Sequence, residues 1–166
     1  MVITIELIDP DWRTQMTEML QTWRDFLDTF NTACETDEWS PLEPFLTEDV
    51  QYRVTGMFMA CHIQGRAAVI AGFAKSIRGF DRKFDSRQHE PVGVKTYDPD
   101  TVSAIAWGRY QKAGLPDVRI AAHGFWHFRD GKINAMTDVW DVTLVENQQA
   151  LAWLAEHGSY MDASYV

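Results

Sequence analysis

Hydrophobic positions along this chain of 166 residues switch between a helical period and a period of two, and the switches divide it into elements. Trp12, Met16, Met19, Leu20, Trp23, Phe26, Leu27 and Phe30 recur every three or four residues, which sets them on one face of a long amphipathic helix. Asp9-Pro10 supplies its start, since proline at the first helical position gives up only an N–H that would lack a partner. Ser40-Pro41-Leu42-Glu43 joins an N-cap serine to a glutamate three residues on and predicts a short helix through Phe45 to Thr47. DVQYRVTG (49–56) predicts a short strand. Gly65 precedes a third helix, RAAVIAGFAKSI, with Val69, Ile70, Phe73, Ala74 and Ile77 on one face before Arg78-Gly79 ends it. Alternation then predicts strands over 91–97, 101–111, 118–128 and 133–145, separated by turn residues and read as an antiparallel meander. A last helix is predicted over 146–158, with Gly158 as its C-cap, followed by a polar-aromatic tail, SYMDASYV.

Helices first and a meander afterwards predict an α+β domain over 1–166, with a curved antiparallel sheet wrapped around the long N-terminal helix and a pocket between them. At 46% hydrophobic residues the chain can bury a sizeable core. A formal charge of −9 repels phosphate backbones and anionic membranes, so nucleic acid and membrane partners are not expected. The first residues lack the basic and apolar regions of a secretory signal and no stretch is long and apolar enough for a membrane helix, so a cytoplasmic protein is expected. Cys34 and Cys61 are too few for a disulfide framework and read as buried thiols.

Aspartate is depleted in strands because its side chain competes for backbone hydrogen bonds, yet Asp138 and Asp141 stand three apart in the last one. Alternation puts Met136, Asp138 and Trp140 on one side and Asp141 on the other, where it reads as a solvated or salt-bridged residue. Asp138 has two readings: a base, or a structural group that caps a loop or pairs with Arg53 or Arg109.

Three stretches carry a family resemblance. LTEDVQYRV (46–54), IQGRAAVIAGF (63–73) and HFRDGKINAMTDVWD (127–141) resemble the first strand, the Gly-Arg helix entry and the final hairpin of the nuclear transport factor 2-like superfamily. Within it, the SnoaL-like polyketide cyclases, the ketosteroid isomerases and limonene epoxide hydrolase are the relevant branches. The resemblance spans nearly the whole chain and implies a cone-shaped α+β barrel in which Met136, Asp138 and Trp140 face an internal pocket. A carboxylate between two large apolar side chains is desolvated, its pKa rises, and it becomes a better proton acceptor near neutral pH. The SnoaL-like pattern has an aspartate at the position of Asp138, and the epoxide hydrolase has a pocket tyrosine matching Tyr52, which shares a strand face with Val54. A phenol beside a carboxylate donates to a developing oxyanion while the carboxylate takes the proton.

Departures narrow the chemistry. Where ketosteroid isomerase has its general base, this chain has Val54 or Thr55; its oxyanion-hole aspartate falls on Gly124 and its helix tyrosine near Phe30, which disfavours steroid isomerisation. The epoxide hydrolase Arg-x-Asp pair falls near Ile105 and Trp107, which disfavours epoxide hydrolysis. The same gapless alignment turns Ser103, Ile105, Trp107 and Arg109 inward, so that Trp107, Trp140, Met136, Ile120 and Ala122 would wall the pocket with Phe26 or Phe30. Arg109 would then hold a phenolate, enolate or carboxylate.

His62, in a loop expected at the pocket lip, is a candidate acid; His123 and His127 read as outward, His157 near a helix end, and His89 at the start of a strand. Asp85 reads as structural. Metal-binding spacings and phosphate-cradling glycine motifs are absent from the sequence, so no metal and no cofactor is expected. The functional expectation is a cofactor-independent acid–base enzyme, a lyase, isomerase or cyclase, acting on a hydrophobic aromatic or cyclic small molecule. Two other classes stay open: a structural small subunit of an aromatic-ring dioxygenase, whose start DEWSPLEPFLTEDVQYRV resembles, and a non-catalytic ligand-binding module. The mixed aromatic and polar face of Arg119, His123, Phe125 and His127 predicts a homodimer with sheets facing each other.

Overall fold

The computed structural model describes residues 12–56, 59–98 and 100–166; the expected helix start at Asp9-Pro10 lies outside them. Helix α1 (Trp12–Thr36) buries Met19, Trp23 and Phe26 at the predicted spacing. A 3-10 helix over Ser40–Phe45 replaces the expected short helix, because Pro41 and Pro44 leave too few N–H donors for an α-helical ladder. Strand β1 (Leu46–Gly56) starts three residues before its expected position, and β2 (Cys61–Gln64) forms where a loop was expected. Helix α2 (Arg66–Gly79) follows from the left-handed Gly65, and a 3-10 turn at Asp81–Lys83 leads into the remaining strands. These are β3 (Ser86–Asp98), β4 (Thr101–Gln111), β5 (Val118–Arg129) and β6 (Lys132–Trp140), before α3 (Val145–His157).

The six strands form one sheet in the order β2-β1-β6-β5-β4-β3. The class and the long first helix are as expected; the sheet is mixed, because β1 runs parallel to β6 with Tyr52 beside Met136 and Val54 beside Asp138, and it is not closed, because β2 and β3 stand at its two ends without pairing with each other. The meander itself is antiparallel throughout.

Strand β6 stops at Trp140, five residues before its expected end, for a local reason. Asp141 Oδ1 accepts from the Thr143 N–H at 2.8 Å and its hydroxyl at 2.6 Å, closing a turn. The fully buried Asn147 of α3 then takes over the edge of β5: its Oδ1 accepts from Ala121 N at 2.8 Å and its Nδ2 donates to Ala121 O at 3.0 Å. Asp141 is thus a turn residue beyond the strand.

On the inner face of β4 and β5 the residues are small: Ala104, Ala106, Gly108, Ala122 and Gly124 all line the space beneath α1. A side chain at position 124 would place its Cβ 2.3 Å from the Trp126 ring, so glycine there lets that indole fold across the sheet. Small residues below and aromatic residues above leave a cavity.

Candidate active site

The cavity has a volume of about 350 Å³, enough for a small cyclic molecule. Its buried walls include Trp23 and Phe26 of α1, Phe73 of α2, Ile120 of β5 and Met136 of β6. Exposed residues rim it on two sides, Asp28 and Asn31 on α1 and His89 and Val94 on β3, which marks the mouth.

Asp138 projects into this cavity from β6, and the parallel pairing brings Tyr52 alongside on β1. The Tyr52 hydroxyl donates to Asp138 Oδ2 at 2.6 Å. Among the described residues Oδ1 accepts no hydrogen bond, and no lysine or arginine pairs with the carboxylate. Loss of hydration in this apolar wall pushes the Asp138 pKa up to about 6, against the opposing pull of the Tyr52 bond. Tyr52, only 3% exposed, has its own pKa raised well above the usual phenol value by burial and by the neighbouring carboxylate, so it stays a donor.

A third group was not foreseen. The tail after α3 runs back along α2, where Ser76 Oγ donates to Ala163 O at 2.8 Å and Asp162 N donates to Gly79 O at 3.0 Å. A Cβ on Gly79 would meet Asp162 O at 2.0 Å, so the glycine permits this approach. The tail thereby delivers Tyr165 to the cavity, its hydroxyl 3.2 Å from that of Tyr52. Because the Tyr52 proton points at Asp138, Tyr165 is placed to donate to Tyr52, and burial with the nearby Asp138 raises its pKa as well.

Of the residues singled out from sequence, Asp138, Tyr52, Trp140, Met136, Ile120, Ala122 and Phe30 all line the cavity. Four others do not, for identifiable reasons. Arg109 lies on the outer face, where Nη2 and Nε bond Asp117 Oδ2 at 2.5 and 3.0 Å. Trp107 is on that face too, its ring 4.2 Å below the Arg119 guanidinium. Pairing decides this: Trp107 stands opposite Ala121 and Arg109 opposite Arg119, whereas Ala106 and Gly108 stand opposite the inward Ala122 and Ile120. His62 sits on β2, exposed and 3.2 Å from Gln51 Oε1, and Val54 is packed in the core at 2% exposure without reaching the cavity. Asp85 accepts from Ala113 N at 2.6 Å, a loop contact. His123 and His127 bond Ser103 and Thr101 on the outer face, as their strand position predicted.

A larger, more open groove of about 730 Å³ lies on that outer side between the sheet and α3, and its main charges are already joined in Arg109–Asp117 and Arg119–Glu90 pairs. It holds no desolvated carboxylate. Among the described residues no cluster of histidine, cysteine and carboxylate groups could hold a metal ion, and no helix is long and apolar enough to cross a membrane.

One family model, the SnoaL-like domain, matches residues 23–136, from the middle of α1 into β6. The chain belongs to the SnoaL-like domain family. Solved structures share the fold. A nuclear transport factor 2-like protein from Anabaena variabilis ATCC 29413 superposes with a TM-score of 0.61 at 15% identity, over 82% of this chain and 95% of that one. A protein described as a SnoaL-like polyketide cyclase, from Jannaschia sp. CCS1, gives 0.61 at 17% identity over 83% and 92%. An LEH-like epoxide hydrolase of M. tuberculosis gives 0.55 at 19% over 84% and 93%. No curated protein matches the sequence. Asp138 itself falls two residues beyond the matched span, and Tyr165 lies far outside it.

Proposed function

We propose that this SnoaL-like protein is a cofactor-independent acid–base enzyme of the isomerase, cyclase or lyase kind, acting on a hydrophobic cyclic or aromatic small molecule. The reaction starts at Asp138. Its free Oδ1 takes a proton from a carbon next to a carbonyl; the C–H electron pair becomes the enolate double bond, and the carbonyl π pair moves onto oxygen. Tyr52 fixes the carboxylate through Oδ2, and Tyr165 fixes Tyr52. The observation that supports this reading is the 2.6 Å Tyr52–Asp138 pair on an apolar wall with no cation beside it. A carboxyl whose pKa is about 6 is ionised at neutral pH yet basic enough to accept a proton from carbon.

Membership of a family with polyketide cyclase-like and epoxide hydrolase-like fold neighbours supports small-molecule chemistry of this general kind. A purely structural subunit or a passive binding module gives no reason to desolvate a carboxylate in a cavity wall. The test is hydrogen exchange followed by NMR in D₂O, with a panel of bicyclic aromatic ketones such as 2-tetralone and 1-indanone. Wild-type protein is expected to accelerate loss of the α-proton signal of at least one, and Asp138→Asn to slow that exchange by about 10²–10⁴-fold. Equal exchange by the two proteins would overturn the assignment.

A further inference from the structure

The cavity contains a second polar cluster that the proton-abstraction step does not use. Asp81, on the 3-10 turn after α2, lies with its Oδ1 2.9 Å from Arg87 Nε on β3. The Tyr110 hydroxyl of β4 donates to the same Asp81 oxygen at 3.2 Å. All three line the cavity, and the Arg87 and Asp81 side chains are only 18% and 11% exposed. The two clusters share a wall, since Asp81 is near enough to Tyr165 to contribute to its raised pKa.

We infer that Arg87 is a second catalytic residue, whose guanidinium receives the substrate oxygen on which negative charge develops while Asp138 removes the proton. The inference rests on the reading of Asp138 as the base. It commits the substrate to being neutral and extended, with the acidic C–H at Asp138 conjugated through the ring system to a carbonyl oxygen at Arg87, since the sheet register sets Asp138 in line with Val94, and Arg87 lies seven residues further along β3.

Charge distribution carries the argument. Among the described residues, Arg87 is the one lysine or arginine lining the cavity, against the carboxylates of Asp28, Asp81 and Asp138. An anionic substrate is therefore repelled before reaction. When the proton passes to Asp138, that residue becomes neutral and its charge reappears on the substrate oxygen. The cavity's total charge is unchanged, but the negative charge has moved from β6 to the cation on β3. Such an interaction is stronger in the transition state than with bound substrate, which is the condition for raising the rate.

Arg87 is built to do this. A guanidinium has five N–H donors in a rigid fork; Arg87 lies among Asp81, Tyr110 and Cys34, yet its buried Nε, 2.9 Å from Asp81 Oδ1, makes no hydrogen bond, so the fork is not used up by its neighbours among the described residues. Burial works to discharge it, and Asp81 together with Tyr110 and Cys34 more than offsets that and keeps it charged. This is the anion-holding role expected of Arg109, moved across one strand: the sheet pairs Arg87 with Tyr110, the neighbour of Arg109.

A phenolate tests the proposal, because it resembles an enolate and its colour reports its ionisation. The protein is Asp138→Asn, which leaves position 138 neutral, as after proton transfer, and the probe is 4-nitrophenol. It should bind as the yellow phenolate, with an apparent pKa below that of the free phenol. Adding Asp81→Asn, which frees the guanidinium of its partner, should tighten phenolate binding. Adding Arg87→Met together with Asp81→Asn, so that no charge is stranded, should weaken it by about 10- to 100-fold, the worth of a hydrogen bond to a charged group. Arg87→Lys in the Asp138→Asn protein keeps the charge but loses the fork and should fall in between, which decides the matter if the triple variant does not fold. Failure of Asp138→Asn protein to bind the phenolate, or equal binding with and without Arg87, overturns the proposal. The two assignments fail separately: ketone exchange that Asp138→Asn leaves unchanged removes the base, whereas wild-type γ-proton exchange of a conjugated bicyclic enone in Arg87→Met/Asp81→Asn removes only Arg87.

Discussion

At the scale of single residues, the neighbours of Asp138 decide between its two readings. Neither Arg53 nor Arg109 pairs with it: Arg53 is exposed on β1 and Arg109 is bonded to Asp117. The consequence for stability has a definite sign. A carboxyl whose folded pKa stands at about 6, above its ordinary 3.8, holds its proton more tightly in the folded state. That contribution to stability is fully present below about pH 4 and is lost as pH rises through 6. Asparagine at the same place has no such loss. The melting temperature of Asp138→Asn relative to wild type should therefore rise between pH 4 and pH 7.5, measured by thermal unfolding at both. A buried ion pair would give the opposite, a deficit at pH 7.5 on the order of 3–5 kcal/mol. Asp138 and Tyr52 were legible because alternation groups each with its strand neighbours and the family resemblance turned those two faces inward. Tyr165 was not, since its position depends on a tail folding back over Gly79 and no local period records that.

At the scale of elements, helices were read well and strand faces unevenly. In β4 both faces are apolar, Ala104, Ala106 and Gly108 on one and Ile105 and Trp107 on the other, so alternation alone does not say which is inside. The large residues go outside because Trp23, Phe26 and Phe30 of α1 already fill the inner side. Arg87 was passed over because β3 was expected to begin at Pro91, five residues late, although His89 was placed at a strand start. The parallel contact of β1 with β6 has no signal in either strand alone, yet it is what joins Tyr52 to Asp138. Gly56 closes that contact: it has φ +79°, and a Cβ there would sit 1.9 Å from the Trp140 carbonyl oxygen. Gly56→Ala should therefore destabilise the fold by more than Gly131→Ala, whose φ of +73° costs about 1–2 kcal/mol but whose surroundings are open. Urea unfolding of the two variants compares them directly; equal losses would mean that the β1–β6 end yields easily.

At the scale of the whole molecule, the outer sheet face remains apolar in part. Ile105 is 42% exposed there, beside His123 and Phe125, whose rings lie 4.3 Å apart. We propose that two copies pair across this face, where Arg119 is committed to Glu90 and Trp107 and so is a rim residue. Sedimentation should give a dimer at micromolar concentration, and Ile105→Lys a monomer; a wild-type monomer would contradict the proposal. Catalysis by carboxylate, phenol and guanidinium alone also implies that ketone exchange survives exhaustive dialysis against a chelator. Restoration of lost activity by one added metal would contradict that. The α+β class followed from the order of helical and alternating segments; the openness of the sheet did not, because closure depends on strand pairing across the fold.

The most direct test of the central claim is the pH dependence of ketone α-proton exchange. With Asp138 as the base, the rate should rise with pH as the carboxyl ionises, with its acid-side midpoint near 6. Tyr52→Phe removes the hydrogen bond that lowers this pKa, so the midpoint should move upward, while Asp138→Asn should abolish the limb. A midpoint near 4, or a limb that persists unchanged in Asp138→Asn, would contradict the account.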